Sequence, residues 1–233
     1  MIVCPVCRHS NDEFAIKCVS CGSFVQDRVP NLDFFAIIWM MIESPAEAFK
    51  KIIIAEHKNF VLLLGLFLGI GATFSLMWGA QSGNSFDNLF PLLLIGSAIG
   101  VVISIPLIYL LIGTFHLAAR LLKGKGTFTE TYGVIGWSLV PIMLSVIFVL
   151  PLEFSLLGLP MFSSNPSAYE VKPVVTAVLL GLDGLTALWS ILLATKGISM
   201  VHRLRFVTSF ILTLIVIGAV STVSVFIYSS FNI

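Results

Sequence analysis

The chain has 233 residues, of which 58% are hydrophobic and only 11% are charged, and its formal net charge at pH 7 is +1. A soluble globular domain carries about 25% charged residues, so this composition excludes a soluble protein and indicates an integral membrane protein. The small net charge provides no field for a polyanion, and we do not expect nucleic acid as a partner.

All four cysteines lie near the start of the chain, in two C-x2-C pairs separated by ten residues. They are Cys4, Cys7, Cys18 and Cys21. Two-residue spacing lets both sulfurs of a pair reach one ion, and four thiolates complete a tetrahedral shell, so the pattern predicts a zinc ribbon with a structural Zn²⁺ site. Iron in a rubredoxin-like knuckle is the alternative metal. Gly22 suits the second knuckle, which needs a positive φ.

The chain divides into three predicted parts: a zinc ribbon (residues 1–26), a linker with interfacial amphipathic helices (residues 27–59) and a five-helix transmembrane domain (residues 60–233). The ribbon is too small to fold on an apolar core, so the metal should supply most of its folding free energy, about 10 kcal/mol. The first thirty residues lack a continuous apolar core, so we expect no cleavable signal peptide. The expected fold class is an all-α membrane protein.

The linker contains two short helix signals. Residues 32–42 are an apolar run that is too short to cross a hydrocarbon core of about 30 Å, so we expect it at the membrane interface. Ser44 and Glu47 have the spacing of a capping box, which predicts a helix over residues 45–57.

The second of these helices is amphipathic. Its apolar face carries Phe49, Ile52 and Ile53. The cations that can reach lipid headgroups are Lys50, Lys51 and Lys58. This helix either lies in the membrane surface or packs beneath the transmembrane bundle.

Five apolar segments that are long enough to cross a membrane follow the linker. They are residues 60–79, 89–119, 132–162, 173–195 and 206–231. The first two each contain a G-x3-G pair, which permits close approach of helices, either within one bundle or between copies of the chain. These pairs are Gly65 with Gly69 and Gly96 with Gly100.

The loop before the third segment contains a second capping box, formed by Thr127 and Glu130, so a helix should begin near Phe128. Prolines within the segment should kink it. They are Pro141, Pro151 and Pro160.

Lysine and arginine are distributed unevenly between the loops. If the five crossings alternate, all thirteen except Lys172 fall on the same side as the ribbon. Under the positive-inside rule that side is the cytoplasm, so we expect a cytoplasmic amino terminus and an external carboxyl terminus. The expected location is the cell membrane, or an endomembrane in a eukaryote.

Two carboxylates fall within the apolar segments. Asp183 lies about 15 Å along the fourth segment, near the bilayer midplane, where a carboxylate needs a hydrogen-bond partner such as Thr186, Ser104 or Ser145. Glu153 lies about 32 Å along the third segment and is expected at the interface. For Asp183 we leave open a structural hydrogen bond between helices, a proton or ion pathway, and a lipid-headgroup site.

Patterns of known catalytic sites are missing from the sequence. The segments contain one aspartate, where an intramembrane aspartyl protease needs two, and no H-E-x-x-H or P-loop occurs. His116 and His202 are expected as interfacial polar residues. We therefore expect no enzyme activity.

Two stretches form a more specific pattern. The first reads Ser-Pro-Ala-Glu-Ala-Phe-Lys-Lys-Ile at residues 44–52. The second leads from Gly-Thr-Phe-Thr-Glu-Thr at residues 126–131 to Gly-Trp-Ser-Leu-Val-Pro at residues 136–141. In this order they resemble the Ypt-interacting-protein (Yip) membrane domain family. The motif residues are Gly126, Phe128, Glu130, Gly136, Trp137 and Pro141, with Trp137 in the place of the tyrosine of the family's G-Y-x-x-x-P element.

The resemblance implies a five-pass protein with a cytoplasmic amino terminus. Eukaryotic members bind Rab-type small GTPases and act in vesicle traffic, but this sequence is more similar to prokaryotic members, some of which carry a zinc ribbon. Our leading hypothesis is a membrane scaffold or adaptor whose cytosolic ribbon docks a protein partner. The runner-up is a small transporter, channel or lipid-handling protein that uses Asp183. Self-association of the chain stays open.

Overall fold

The structure is a computed structural model and describes residues 1–230. Within these residues, five helices are long and apolar enough to cross a membrane. They are Val61–Gly79, Leu89–Leu121, Phe128–Leu156, Pro173–His202 and Phe206–Ser230. The prediction of an all-α membrane protein with five crossings and an amino-terminal cysteine cluster is confirmed.

A small hairpin and two short helices precede the bundle. Strand β1 (Ile2–Val3) pairs antiparallel with strand β2 (Ser10–Asn11). Helices α1 (Phe34–Glu43) and α2 (Pro45–Ile54) follow, separated by Ser44 alone. The remaining helices are α3 (Val61–Gly79), α4 (Leu89–Leu121), α5 (Phe128–Trp137), α6 (Val140–Leu144), α7 (Leu150–Leu156), α8 (Ala168–Val171), α9 (Pro173–His202) and α10 (Phe206–Ser230).

Helices α3 and α4 pack along their two G-x3-G faces. A Cβ atom at Gly69 would lie 2.4 Å from the main-chain oxygen of Gly100 and 2.7 Å from the Cα of Ser104. A Cβ atom at Gly100 would lie 2.7 Å from the Cα of Ile70. Glycine at these positions lets the two backbones touch, and the two faces meet each other within one bundle.

The third crossing begins as the sequence predicts. Thr127 and Glu130 form both hydrogen bonds of the capping box, and α5 starts at Phe128. The crossing is then interrupted between α5 and α6, and it contains a π-helical turn over Ser145–Val149 before α7. Such interruptions bend a helix and shorten its rise along the bundle axis.

The same crossing ends earlier than predicted. Helix α7 stops at Leu156, whereas the sequence led us to expect a crossing up to residue 162. Gly158 has a φ of 63°, which a continuing helix does not allow, and Pro160 follows it. Residues Leu159–Phe162 form a separate 3-10 turn.

The linker packs against the bundle. Phe49 and Ile52 are fully buried, and the ring of Phe49 lies against Gly197 of α9. Of the two alternatives for α2, packing beneath the bundle is therefore correct. The capping box of Ser44 and Glu47 does not form, because Ser44 also ends α1, and its N–H bonds to the carbonyl group of Met40.

The end of α2 also differs from the prediction. The helix stops at Ile54, with Ala55 as its C-cap, and does not reach residue 57. Lys58 does not extend towards headgroups. Its Nζ donates to the main-chain oxygens of Ile53 and Ala55, at 2.8 and 2.7 Å.

The fourth crossing is longer than predicted. Helix α9 continues to His202, so Lys196 lies within the helix and not in a loop. Helix α10 begins at Phe206, as expected. Phe231, which the predicted fifth crossing includes, and the carboxyl terminus lie outside the described residues.

The loops gather at two ends of the bundle. At the end that carries the ribbon, which we call the ribbon end, the N–H of Lys125 donates to the carbonyl group of His202 at 3.3 Å. At the opposite end, which we call the far end, Asn84 Nδ2 donates to Ser164 Oγ at 3.0 Å, and Ser82 Oγ lies 2.7 Å from the hydroxyl oxygen of Tyr228. The five crossings therefore alternate in direction.

Candidate metal centre and intramembrane carboxyl pair

The four cysteine sulfurs converge on one point of the ribbon. All four Sγ atoms lie within 4.8 Å of one another. The Sγ atoms of Cys4 and Cys21 are 3.6 Å apart, and those of Cys7 and Cys18 are 3.5 Å apart. Four sulfurs at about 2.3 Å from one ion form a tetrahedron with edges of about 3.8 Å, so these free thiols could hold a single metal ion.

The two C-x2-C knuckles repeat one backbone pattern. In the first, the N–H of Arg8 bonds to the carbonyl group of Cys4, and in the second the N–H of Gly22 bonds to that of Cys18. The donors occupy equivalent positions, and both have positive φ angles, 56° at Arg8 and 72° at Gly22. The amide Nδ2 of Asn11 lies 3.5 Å from the sulfur of Cys18 and orients it.

The ribbon rests on the ribbon end of the bundle. Asp12 forms a salt bridge with Arg203, which follows the last residue of α9, and this hydrogen bond lowers the pKa of Asp12 below its usual range. Arg28 and Glu56 form a second salt bridge of 2.6 Å, which joins the start of the linker to its residues after α2. Sequence reasoning missed the first pair, because its members are separated by 191 positions.

Glu153 and Asp183 lie in one cavity of about 460 Å³ between α3, the third crossing and α9. Ser145 Oγ donates to Asp183 Oδ1, so one of the three predicted partners is correct. The other two predicted partners do not bond to the carboxyl group of Asp183. Thr186 donates to the main-chain oxygen of Asp183, and Ser104 donates to the main-chain oxygen of Val101.

The structure does not place Glu153 at an exposed interface. Glu153 is only 1% exposed and lines the same cavity as Asp183. Among residues 1–230, its Oε1 has no hydrogen-bond partner. The expected position of Glu153, about 32 Å along the third segment, assumed a straight helix, whereas the third crossing is interrupted and contains the π-helical turn.

Two histidines meet at the ribbon end. The hydroxyl oxygen of Thr131 lies 3.1 Å from His116 Nδ1 and 2.9 Å from His202 Nε2, and the hydroxyl group donates to the main-chain oxygen of Thr127. Because a hydroxyl group has one proton, both rings must donate to it. His202 is 1% exposed and is therefore buried within the protein, and its predicted depth at the membrane interface stays a prediction. The continuation of α9 to His202 carries this ring into the packed end of the bundle.

Comparison with known proteins identifies the membrane part of the chain. A family model described as the Yip1 domain matches residues 39–228. The chain belongs to the Yip1 family. Searches of curated proteins and of solved structures each found no match.

The first group of Yip1 motif residues shapes the ribbon end. Gly126 lies so close to α9 that a Cβ atom there would be 2.2 Å from Cγ1 of Val201. The ring of Phe128 packs edge to face on that of His116, with centroids 5.6 Å apart. Glu130 closes the capping box that starts α5. These residues hold the loop of residues 122–127 against the end of α9.

The second group of Yip1 motif residues joins the third crossing to α1 and α3. A Cβ atom at Gly136 would lie 2.4 Å from Cγ1 of Val61. Trp137 is fully buried, with its ring 6.0 Å from that of Phe34 and 6.1 Å from that of Phe60. Pro141, also buried, lies in the first turn of α6. Gly126, Phe128, Gly136 and Trp137 thus make packing contacts between elements, whereas Glu130 caps the start of its own helix.

Proposed function

We propose that this Yip1 family protein is a non-catalytic membrane scaffold whose metal-loaded ribbon docks a protein partner at the membrane. The observation that carries the proposal is the apolar outer surface of the ribbon. Val3, Val6 and Val19 are 61%, 71% and 78% exposed. Val6 and Val19 each lie between the two cysteines of a knuckle, and the knuckles meet at the shared thiol cluster. Apolar side chains displayed on a small rigid module are typical of protein interfaces.

The ribbon is also held in place, which a docking platform requires. The salt bridge of Asp12 with Arg203 attaches it to the bundle, and that of Arg28 with Glu56 closes the two ends of the linker on each other. Phe14 packs against the apolar core of the bundle from the ribbon side. A partner bound to the knuckles would therefore have a defined position relative to the membrane.

The linker supports the same arrangement. On α1, Phe35, Trp39 and Ile42 are 79%, 59% and 51% exposed and recur at the spacing of one helix face. We place this face in the headgroup region, where tryptophan and other apolar side chains anchor amphipathic helices. The opposite face, with Ile37 and Met41, is buried in the protein.

We infer that the metal is Zn²⁺ and that the ribbon end faces the cytosol. A closed tetrahedral shell of four thiolates is typical of structural zinc sites. Iron can be bound in the same geometry and is the alternative metal. Every lysine and arginine except Lys172 lies on the ribbon side of the alternating crossings, as the positive-inside rule requires for a cytosolic face. Elemental analysis of the protein purified in detergent distinguishes the metals, and about one zinc per chain is expected.

Photo-crosslinking in living cells tests the docking proposal. With p-benzoylphenylalanine in place of Val19, we expect a discrete crosslinked product with one protein. In the same chain, Cys4→Ser should abolish that product because the knuckle loses its metal, while Glu170→Gln at the far end should leave it unchanged.

The control position is Val178, which is exposed on α9 far from the ribbon. The photoreactive residue at this position should give lipid adducts but not the same protein product. If Val19 and Val178 crosslink to the same proteins, or if Cys4→Ser leaves the product in place, the ribbon is not the docking surface.

A further inference from the structure

The cavity that holds Glu153 and Asp183 has no role in the proposed scaffold function, although its charge and its shape suit a ligand. Its volume is about 460 Å³, within the range of small-molecule sites and far larger than a metal ion needs. Most of its wall is apolar, and two aromatic side chains, Phe74 and Trp78, contribute to it. Among the described residues that line it, none is lysine, arginine or histidine.

One oxygen in this cavity lacks a partner although its side chain is buried. Glu153 is 1% exposed, and its Oε1 accepts no hydrogen bond from residues 1–230. A buried acceptor without a donor is energetically unfavourable, and more so when it is charged. Ser145 supplies a donor to Asp183 but not to Glu153. The site therefore offers an acceptor that a bound donor would satisfy.

The charge balance of the pair points to a positively charged donor. Two carboxyl groups this close in apolar surroundings do not both stay ionised; two protons, or one proton and one bound cation, neutralise the pair, and the second arrangement also supplies a donor for Glu153 Oε1. An ammonium group provides that charge and N–H donors as well. Trp78 and Phe74 can add the attraction of an aromatic ring for a cation.

We propose that Glu153, Asp183 and Ser145 form a binding site for an amphipathic ammonium compound, with the ammonium group at the carboxyl pair and the apolar body along the rest of the cavity. The ligand is an amine that carries a hydrocarbon portion. Two sources share this chemistry: the headgroup of an aminophospholipid and a free long-chain amine. The site is independent of the ribbon and goes beyond the scaffold function.

The test uses the full-length protein in nanodiscs of phosphatidylcholine, with dodecylammonium as the probe and dodecanol as its uncharged counterpart. Binding is followed by tryptophan fluorescence, because Trp78 lines the cavity. We expect dodecylammonium to bind and dodecanol to bind about tenfold more weakly or less. Asp183→Asn and Glu153→Gln should each weaken the binding of dodecylammonium about tenfold, which corresponds to about 1.4 kcal/mol. Glu170→Gln, at an exposed carboxylate of the far end, should not.

A second measurement keeps the proposal testable if either variant fails to fold. Dicyclohexylcarbodiimide modifies protonated carboxyl groups in apolar surroundings, and mass spectrometry of the wild-type protein locates the adduct. We expect labelling at Glu153 or Asp183 that dodecylammonium prevents and dodecanol does not. Equal binding of the alcohol and the amine, or labelling that the amine does not reduce, would overturn the proposal.

The lipid composition of the nanodiscs distinguishes the two sources of the ammonium group. Nanodiscs that contain phosphatidylethanolamine should compete with dodecylammonium if a lipid headgroup is the natural ligand. If they do not compete, the phosphatidylethanolamine headgroup is excluded and a free amine is favoured.

Discussion

At the scale of single residues, two lysines at opposite ends of the bundle act on helix termini. Lys58 Nζ donates to the main-chain oxygens of Ile53, in the last turn of α2, and of Ala55, its C-cap. Lys172 Nζ donates to that of Leu156 at 2.6 Å, at the end of α7. A cation at this position satisfies carbonyl groups that have no partner within the helix and interacts favourably with the helix dipole. Lys172, the one exception to the positive-inside pattern, thus has a local structural role.

The stability of the protein should depend on pH through the titration of Lys58. Burial lowers the pKa of Lys58 to about 8, compared with an ordinary value of 10.5. Since the unfolded chain binds the proton more tightly, the contribution of Lys58 to stability rises as the pH increases from about 8 to 10.5. We expect the melting temperature of the wild type, relative to Lys58→Met, to increase between pH 7.5 and pH 10. A difference that stays constant or shrinks over this range would contradict the assignment.

At the scale of elements, the contact between α3 and α4 depends on the absence of side chains along both G-x3-G faces. Gly69 meets the backbone of Gly100, and a backbone cannot move aside as the end of a flexible side chain can. The bundle therefore has no room to relax at this point, and its stability should be sensitive to any added atom.

Gly69→Val tests this contact. Its side chain should force the two helices apart and destabilise the protein by about 1–3 kcal/mol or more. The matched control is Gly113→Val in α4, since a Cβ atom at Gly113 has nothing within 4 Å. Thermal unfolding in detergent, followed by tryptophan fluorescence, should show a clear drop for the first variant and little change for the second. Equal effects would mean that helix propensity, and not the contact, determines the loss.

A local capping signal in the sequence predicts the start of a helix well when its residues belong to that helix alone. Thr127 and Glu130 lie on the same helix start, and their capping box forms as expected. Ser44 has the same signal but belongs to two helices at once, so its backbone is fixed by the turn between them. Long-range pairs leave no local signal. The sequence therefore could not reveal that Glu153 shares a cavity with Asp183.

At the scale of the whole molecule, the ribbon and the membrane bundle form one connected body. The salt bridge between Asp12 and Arg203 joins the hairpin of β1 and β2 to the end of α9, and its two residues are separated by almost the full length of the chain. Both side chains are partly exposed, so this pair contributes about 0.2–1 kcal/mol, enough to bias the position of the ribbon but not to fold it.

Charge reversal should release the ribbon. Asp12→Arg places two like charges together, and the linker between the ribbon and α1 should then be cleaved faster by a protease. The double variant with Arg203→Asp restores opposite charges and should return cleavage to near the wild-type rate. If Asp12→Arg and the double variant are cleaved equally fast, this pair does not fix the ribbon.

The proposed cytosolic position of the ribbon end is tested most directly by cysteine labelling in intact cells. A single cysteine is introduced either at Lys125, exposed in the loop beside His202, or at Asp87, exposed at the far end. A membrane-impermeant maleimide is then added, and the parent chain gives the background from the four ribbon thiols. The proposed orientation predicts that Asp87→Cys is labelled in intact cells and that Lys125→Cys is labelled only after permeabilisation. Labelling of Lys125→Cys in intact cells, with Asp87→Cys protected, would place the ribbon outside and contradict the cytosolic scaffold.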